Sequence, residues 1–146
     1  MHIRRILRDK GDSVATIRPD ASITTCLATL AEHNYGALVV SVDGAHIDGI
    51  ISERDIVRAL AARGPGCLDE SVADMMTTEV ITARPGATAS ELMAMMTARR
   101  IRHVPVVDGT ELAGIVSIGD IVKLRMTELT EELRALQGYL EPGAYG

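Results

Sequence analysis

Two short motifs carry the residue types from which a site can be built: Ser52-Glu53-Arg54-Asp55 and Ser117-Ile118-Gly119-Asp120. Serine three residues before a carboxylate, opening an apolar run, is the pattern of a capping box that satisfies orphan N–H donors at a helix start. The same geometry suits a ligand. A helix N-terminus favours phosphate, and a carboxylate one turn in can accept two hydrogen bonds from a ribose diol, much as acidic residues do in dinucleotide folds. The roles are compatible, since the serine can cap while the aspartate faces outward. Arg54 adds a cation to the first motif, where the second has Gly119. More cations gather at Arg99-Arg100-Ile101-Arg102-His103. Their plain reading is a solvated face, but in an acidic chain a local positive spot invites an anion.

Other chemistries find little to work with. The four histidines, His2, His33, His46 and His103, enter no Ser/His/Asp or HExxH arrangement. Gly64-Pro65-Gly66 lacks the Lys-Ser/Thr of a triphosphate loop. Cys26 and Cys67 make no CxxC and no metal-ligand spacing, so they read as a small buried apolar residue and a loop thiol, and no metal is expected. The formal charge of −5, from 15 Lys+Arg and 20 Asp+Glu, disfavours a phosphate backbone as partner. With three Tyr and no Phe or Trp, stacked bases have almost no platform. Both counts speak against nucleic acid, and none is expected as a partner. The N-terminal run Met-His-Ile-Arg-Arg-Ile-Leu-Arg-Asp-Lys is not expected to be a signal peptide, and no window approaches the roughly 20 apolar residues that span a bilayer. A reducing cytoplasm is the expected compartment.

The elements that position the two motifs repeat. Val14-Ala15-Thr16-Ile17-Arg18-Pro19 recurs as Val80-Ile81-Thr82-Ala83-Arg84-Pro85 at an offset of 66, and the block Gly49–Val57 recurs as Gly114–Val122 at an offset of 65. The chain is a tandem duplication. Each copy opens with an extended run ending at proline, followed by a helix. Ile23, Cys26, Leu27, Leu30 and Ala31 share one face of the first helix; Ala89, Leu92, Met93 and Met96 share one face of the second, where Thr88 and Glu91 make a capping box. A hairpin then turns at Asp43-Gly44 or Asp108-Gly109, with strands Ala37–Val40 and Ile47–Ile51 in copy one and Val104–Val107 and Leu112–Val116 in copy two. A second helix starts at Ser52 or Ser117, and Gly64 is placed to end the first of these. A short helix precedes each copy, with Ile3, Ile6 and Leu7 matching Val72, Met75 and Met76, and Arg63–Cys67 reads as the linker. The pattern is α+β, two β-α-β-β-α units packed face to face.

These blocks resemble the cystathionine-β-synthase (CBS) domain, whose tandem pair forms a Bateman module. The resemblance rests on the leading run with its Thr and Pro, the Val-Pro-Val-Val-Asp segment of copy two, and the Gly-Ile-Ile/Val-Ser-x-x-Asp blocks of both copies. It spans about Ile3 to Met126 and is nearest to stand-alone bacterial two-CBS proteins. It implies two repeats about a pseudo-two-fold axis and clefts that bind an adenosyl ligand: AMP, ADP, ATP, NAD or S-adenosylmethionine. It implies that Ser52, Asp55, Ser117 and Asp120 face ribose and phosphate. By the same resemblance Thr16, Ile17, Thr82 and Ala83 line the adenine and ribose pocket. Arg102 and His103, leading into Val104 and Pro105, lie near phosphates. Copy one has Tyr35-Gly36-Ala37 at that place, so a site at Ala37 is expected to differ in ligand or to be empty, with Arg54 offering a phosphate contact.

The boundaries follow: a short helix over 2–7, a CBS domain over 8–63, a second over 72–127, and a helical extension over 128–146. In that extension Val122, Met126, Leu129, Leu133, Leu136 and Leu140 step by four and three, the spacing of an a/d seam. The seam reads either as one helix on its own core or, since it outruns the second repeat, as contact with a partner chain through Leu129, Leu133 and Leu136. Gly138 and Pro142–Gly146 are expected to fray its end. The expected function is non-catalytic: a nucleotide-binding, homodimeric regulator of energy or redox state whose output acts in trans on another protein. The rival is a ligand-independent dimerisation scaffold, in which the Ser-x-x-Asp boxes only cap helices.

Overall fold

Short apolar runs rich in Val and Ile bring each repeat to a hairpin. The computed structural model describes residues 2–11 and 14–145, with side chains as far as Tyr139. In the first repeat β1 (Thr16–Ile17) lies parallel to β2 (Ala37–Val40), which pairs antiparallel with β3 (Gly49–Ser52). β3 starts later than the Ile47 expected because Asp43 gathers the turn: its carboxylate accepts from the backbone N–H groups of Ala45 and His46 and contacts His46 Nδ1. In the second repeat β4 (His103–Asp108) pairs antiparallel with β5 (Glu111–Ser117). The run expected to lead this repeat as a strand shrinks to one bridge, Ala83 to Val106. Val80 N–H turns back to the Thr78 carbonyl just before it, so the chain is bent where a strand would begin.

The helices start where their side chains can cap them. Ser22 accepts from Thr25 N–H to open α2 (Ile23–His33), and its αL C-cap is Asn34. Full capping boxes open α3 (Glu53–Arg63) at Ser52 and α5 (Ala89–Arg99) at Thr88. Gly64 closes α3. The linker that follows is a 3₁₀ turn, Pro65–Asp69, whose Cys67 is buried rather than a loop thiol. Cys26 is buried too, and burial pushes its thiol up to about 11, which keeps it protonated and inert. α6 (Ile118–Tyr145) runs on through Gly138 and Pro142, where the composition predicts fraying. A single glycine costs a solvated helix only about 1 kcal/mol, too little to stop it without a competing tertiary contact.

The short helices cross over. α1 (Arg4–Lys10) precedes the first repeat, yet Ile3 and Ile6 are buried in the core of the second, with Leu92, Val104, Val116 and Ile121. α4 (Val72–Met75) precedes the second repeat, and its Val72 is buried in the first, with Ile23, Leu38, Ile51 and Ile56. The backbone repeats the exchange. Ile3 N–H donates to Ala87 O and Arg4 N–H to Pro85 O, while Val72 N–H donates to Ala21 O and Ala73 N–H to Pro19 O. Reciprocal contacts of this kind are what an approximate two-fold produces. They also explain two glycines. A Cβ on Gly49 would lie 2.7 Å from Met76 Sδ and 2.8 Å from the Thr77 carbonyl oxygen; one on Gly114 would lie 2.5 Å from Leu7 Cδ2. The segment leaving α4 lies on the bare backbone of Gly49, and the Leu7 side chain of α1 lies on that of Gly114.

Candidate functional site

The crossover sets one segment between the halves. After α4, Thr77 pairs with Ile50 on the free edge of β3, exchanging both N–H···O bonds at 2.9 Å. The chain then passes Glu79, Val80 and Ile81 before joining the second sheet at Ala83. Beneath it opens a cavity of about 250 Å³, lined from the first repeat by Ala37, Ser52, Arg54 and Asp55, and from the second by Arg102, His103 and Pro105.

The carboxylate of Asp55 is held by the capping box. Its Oδ2 accepts from Ser52 N–H at 2.8 Å and from Ser52 Oγ at 3.0 Å, while Asp55 N–H donates back to Ser52 Oγ at 3.3 Å. Among the described residues no donor reaches Oδ1. The side chain is thus oriented by its cap and still has an acceptor to offer the cavity. Around it stand four guanidinium groups, Arg54, Arg58, Arg100 and Arg102, against the carboxylates of Glu53, Asp55 and Glu79. A chain of net charge −5 therefore turns a net cationic cleft towards a helix N-terminus, where anions are already favoured.

His103 packs against the backbone of Gly36, where a Cβ would come within 3.0 Å of the ring. Burial lowers the pKa of this imidazole against the opposing pull of Glu53, and Lys10 and Arg102 push it further down, so it is neutral at pH 7. It can donate one hydrogen bond and accept another without adding charge. Arg100 is strained. It has φ 54° at the C-cap of α5, the αL position that Asn34 fills at φ 56° after α2. Asparagine tolerates αL, whereas an arginine there costs about 1–2 kcal/mol. Arg100→Asn should therefore raise the stability of the unliganded protein, by up to about 1 kcal/mol, read as a higher urea midpoint at unchanged m-value. An unmoved or lower midpoint would show that Arg100 is held by contacts worth more than its strain.

The second motif is built alike but furnished differently. Asp120 Oδ2 accepts from Ser117 N–H at 2.9 Å, and Asp120 N–H donates to Ser117 Oγ at 3.1 Å. The same oxygen also takes Lys10 Nζ at 2.7 Å. Burial works to raise the Asp120 pKa, but the hydrogen bonds from Lys10 and Ser117 outweigh it and hold the carboxyl below its usual range.

Not every residue expected at the site reaches the cleft. Ala37, Ser52, Arg54, Asp55, Arg102, His103 and Pro105 are brought together there. Ser117 and Asp120 sit at the start of α6, with Ser117 paired to His103 across the β4–β5 ladder. Ile17, Ala83 and Val104 are buried in the two cores, Thr16 lies in β1 paired with Val39, and Thr82 is exposed beside the Ala83 bridge. Sequence reading puts the sites in clefts between the repeats but does not say which motifs share one; the cleft joins the α3 start of one repeat to the β4 start of the other. It also missed Glu79, Val80 and Ile81; Arg100, read as surface, is exposed and also lines the cleft. The offset of 69 between the two short helices was the available signal that segments following them play matching parts.

The CBS-domain family model matches residues 4–62 and 72–127. The chain belongs to the CBS-domain family. As a CBS pair it is similar in structure to a CBS-domain-containing protein from Agrobacterium tumefaciens: 44% identical, TM-score 0.82, over 86% of this chain and 99% of that one. It is 35% identical over 149 residues to the mitochondrial CBS domain-containing protein CBSX3 of Arabidopsis thaliana, covering 97% of this chain and 72% of the relative. The CBS domain pair of protein MJ0100, solved in complex with 5′-methylthioadenosine and S-adenosyl-L-methionine, is 29% identical with a TM-score of 0.73, over 88% of this chain and 98% of that one. Among the described residues no helix is long and apolar enough to cross a membrane, and no group of three or more His, Cys, Asp or Glu could hold a metal ion.

Proposed function

We propose that this CBS pair is a non-catalytic regulatory module of the cytoplasm. It binds an adenine nucleotide (AMP, ADP, ATP or NAD) between its repeats and reports energy or redox state to another protein in trans. The observation that carries the reading is the presence in one cavity lining of Asp55, whose capping bonds use only Oδ2, and of four arginines. Ribose hydroxyls would donate to the carboxylate, and phosphates would meet the arginines and the α3 N-terminus. That a related pair is solved with two adenosyl compounds supports the ligand class; the excess of cations favours a phosphorylated one over the cationic S-adenosylmethionine. Calorimetric melting with AMP, ATP and NAD tests the reading. At about 100 times its Kd a nucleotide adds about 2.7 kcal/mol, a Tm rise on the order of 5–10 °C for a chain of this size. No shift with any of them at millimolar concentration would leave the scaffold reading, which the completed capping boxes at Ser52 and Ser117 favour.

The module acts as a homodimer in this proposal. On α6, Ile121 and Leu124 face the core, while Leu129, Leu133 and Leu136 are 49%, 57% and 60% exposed along the outer seam; the Leu140 side chain lies outside the described residues. A row of large apolar side chains in water calls for a partner. Leu129→Glu with Leu133→Glu should raise the dimer dissociation constant more than about 100-fold, since each unpaired charge in a seam costs several kcal/mol. Light scattering at micromolar concentration would then report monomer mass. A dimer unchanged by both substitutions would remove this helix from the interface.

A further inference from the structure

The two carboxylates that the repeats hold in matching places are not equally available. Both keep Oδ1 clear of protein donors among the described residues, but at Asp55 the donors to Oδ2 come only from Ser52. Asp120 is held by a cation: Lys10 Nζ lies 2.7 Å from its Oδ2 and donates a second hydrogen bond to the Ile115 carbonyl at 3.0 Å. The pair is about one-third exposed at the lysine and one-quarter at the aspartate, so solvent screens it only in part. Lys10 arrives there by the crossover, as the last residue of α1, whose Ile3 and Ile6 are buried in the second repeat.

The position has a counterpart. Matching Ile3, Ile6 and Leu7 to Val72, Met75 and Met76 sets an offset of 69, which places Glu79 where Lys10 stands. Glu79 lines the Asp55 cleft. One fold position therefore carries a cation beside Asp120 and an anion beside Asp55. A ribose diol reaching Asp120 meets a carboxylate whose charge Lys10 already compensates and must share it with that ammonium, whereas the Asp55 carboxylate is hydrogen-bonded only by its own cap, Ser52.

Resting on the nucleotide reading proposed above, we infer that Lys10 is a tethered cation occupying the Asp120 position. The chain consequently takes one nucleotide, at Asp55, and Lys10 sets that number. Equilibrium dialysis with AMP tests this. The wild-type chain binds one AMP; Lys10→Met, which keeps the length and removes the charge, binds two; Lys10→Met with Asp120→Asn returns to one. One AMP on Lys10→Met, two on the wild type, or two on the double variant would each overturn the role of Lys10 while leaving the Asp55 cleft a nucleotide site. Zero on every protein would overturn both readings together.

Discussion

Asp55→Asn should remove most of the nucleotide-induced rise in Tm while leaving the unliganded protein close to wild type. The carboxylate orients itself through Ser52, and asparagine can still accept the N-cap hydrogen bond. What it cannot supply is a charged acceptor for two ribose hydroxyls, each such bond contributing about 1.5–3 kcal/mol. Affinity should fall about 100-fold or more, so a nucleotide concentration that stabilises the wild type by about 2.7 kcal/mol would leave the variant only about 0.4 kcal/mol. Asp55→Ala should lose the same shift and also drop the unliganded Tm, because the capping box is broken as well. A full ligand shift in Asp55→Asn would mean that Asp55 is only a cap. Asp120→Asn is the internal comparison: with Lys10 already on Asp120, its nucleotide shift should match wild type.

Ile3→Ala should destabilise the protein as much as a deletion in the middle of either sheet. Ile3 is 0% exposed and packs among Leu92, Val104 and Val116 of the second repeat, although 85 residues separate it from Thr88, whose strand-like bridge runs to its neighbour His2. Removing three buried carbons from such a site costs about 2–5 kcal/mol. At about 3 °C per kcal/mol for this length, Tm should fall by roughly 6–15 °C. The surface substitution Arg4→Ala on the same helix should move Tm by little, since Arg4 is exposed. If Ile3→Ala melts within 2 °C of wild type, α1 is not part of the second core.

Much of this was legible before any coordinates. The offsets of 66 and 65 announce the duplication, and the Ser-x-x-Asp and Thr-x-x-Glu boxes locate three helix starts, all of which form as capping boxes. Periodicity says that Ile3, Ile6, Val72 and Met75 must be buried, but burial alone does not name the sheet they cover. The structure adds that choice, and Gly49 and Gly114 leave room for Met76-Thr77 and Leu7 of the segments leading the other repeat. Once the helices exchange, the segment at Glu79–Ile81 is carried across β3, and Arg102 and His103 face Asp55. Charge patterning fared in the same way. Arg100 is on the surface as its charge suggests, but the αL backbone that turns the chain from α5 towards β4 and brings it to the cleft is invisible in composition. The pairing of Lys10 with Asp120 joins residues 110 positions apart, and only the crossover brings them within reach.

The central claim is that an adenine nucleotide lies between the repeats with its ribose on Asp55. A crystal structure of the protein grown with ATP tests it most directly. The account predicts one nucleotide per chain: ribose hydroxyls within hydrogen-bond distance of the Asp55 carboxylate, phosphates against Arg54, Arg58, Arg100 or Arg102, and Lys10 still on Asp120. A cleft without nucleotide at saturating ATP, or a nucleotide whose ribose is bound away from Asp55, would contradict it.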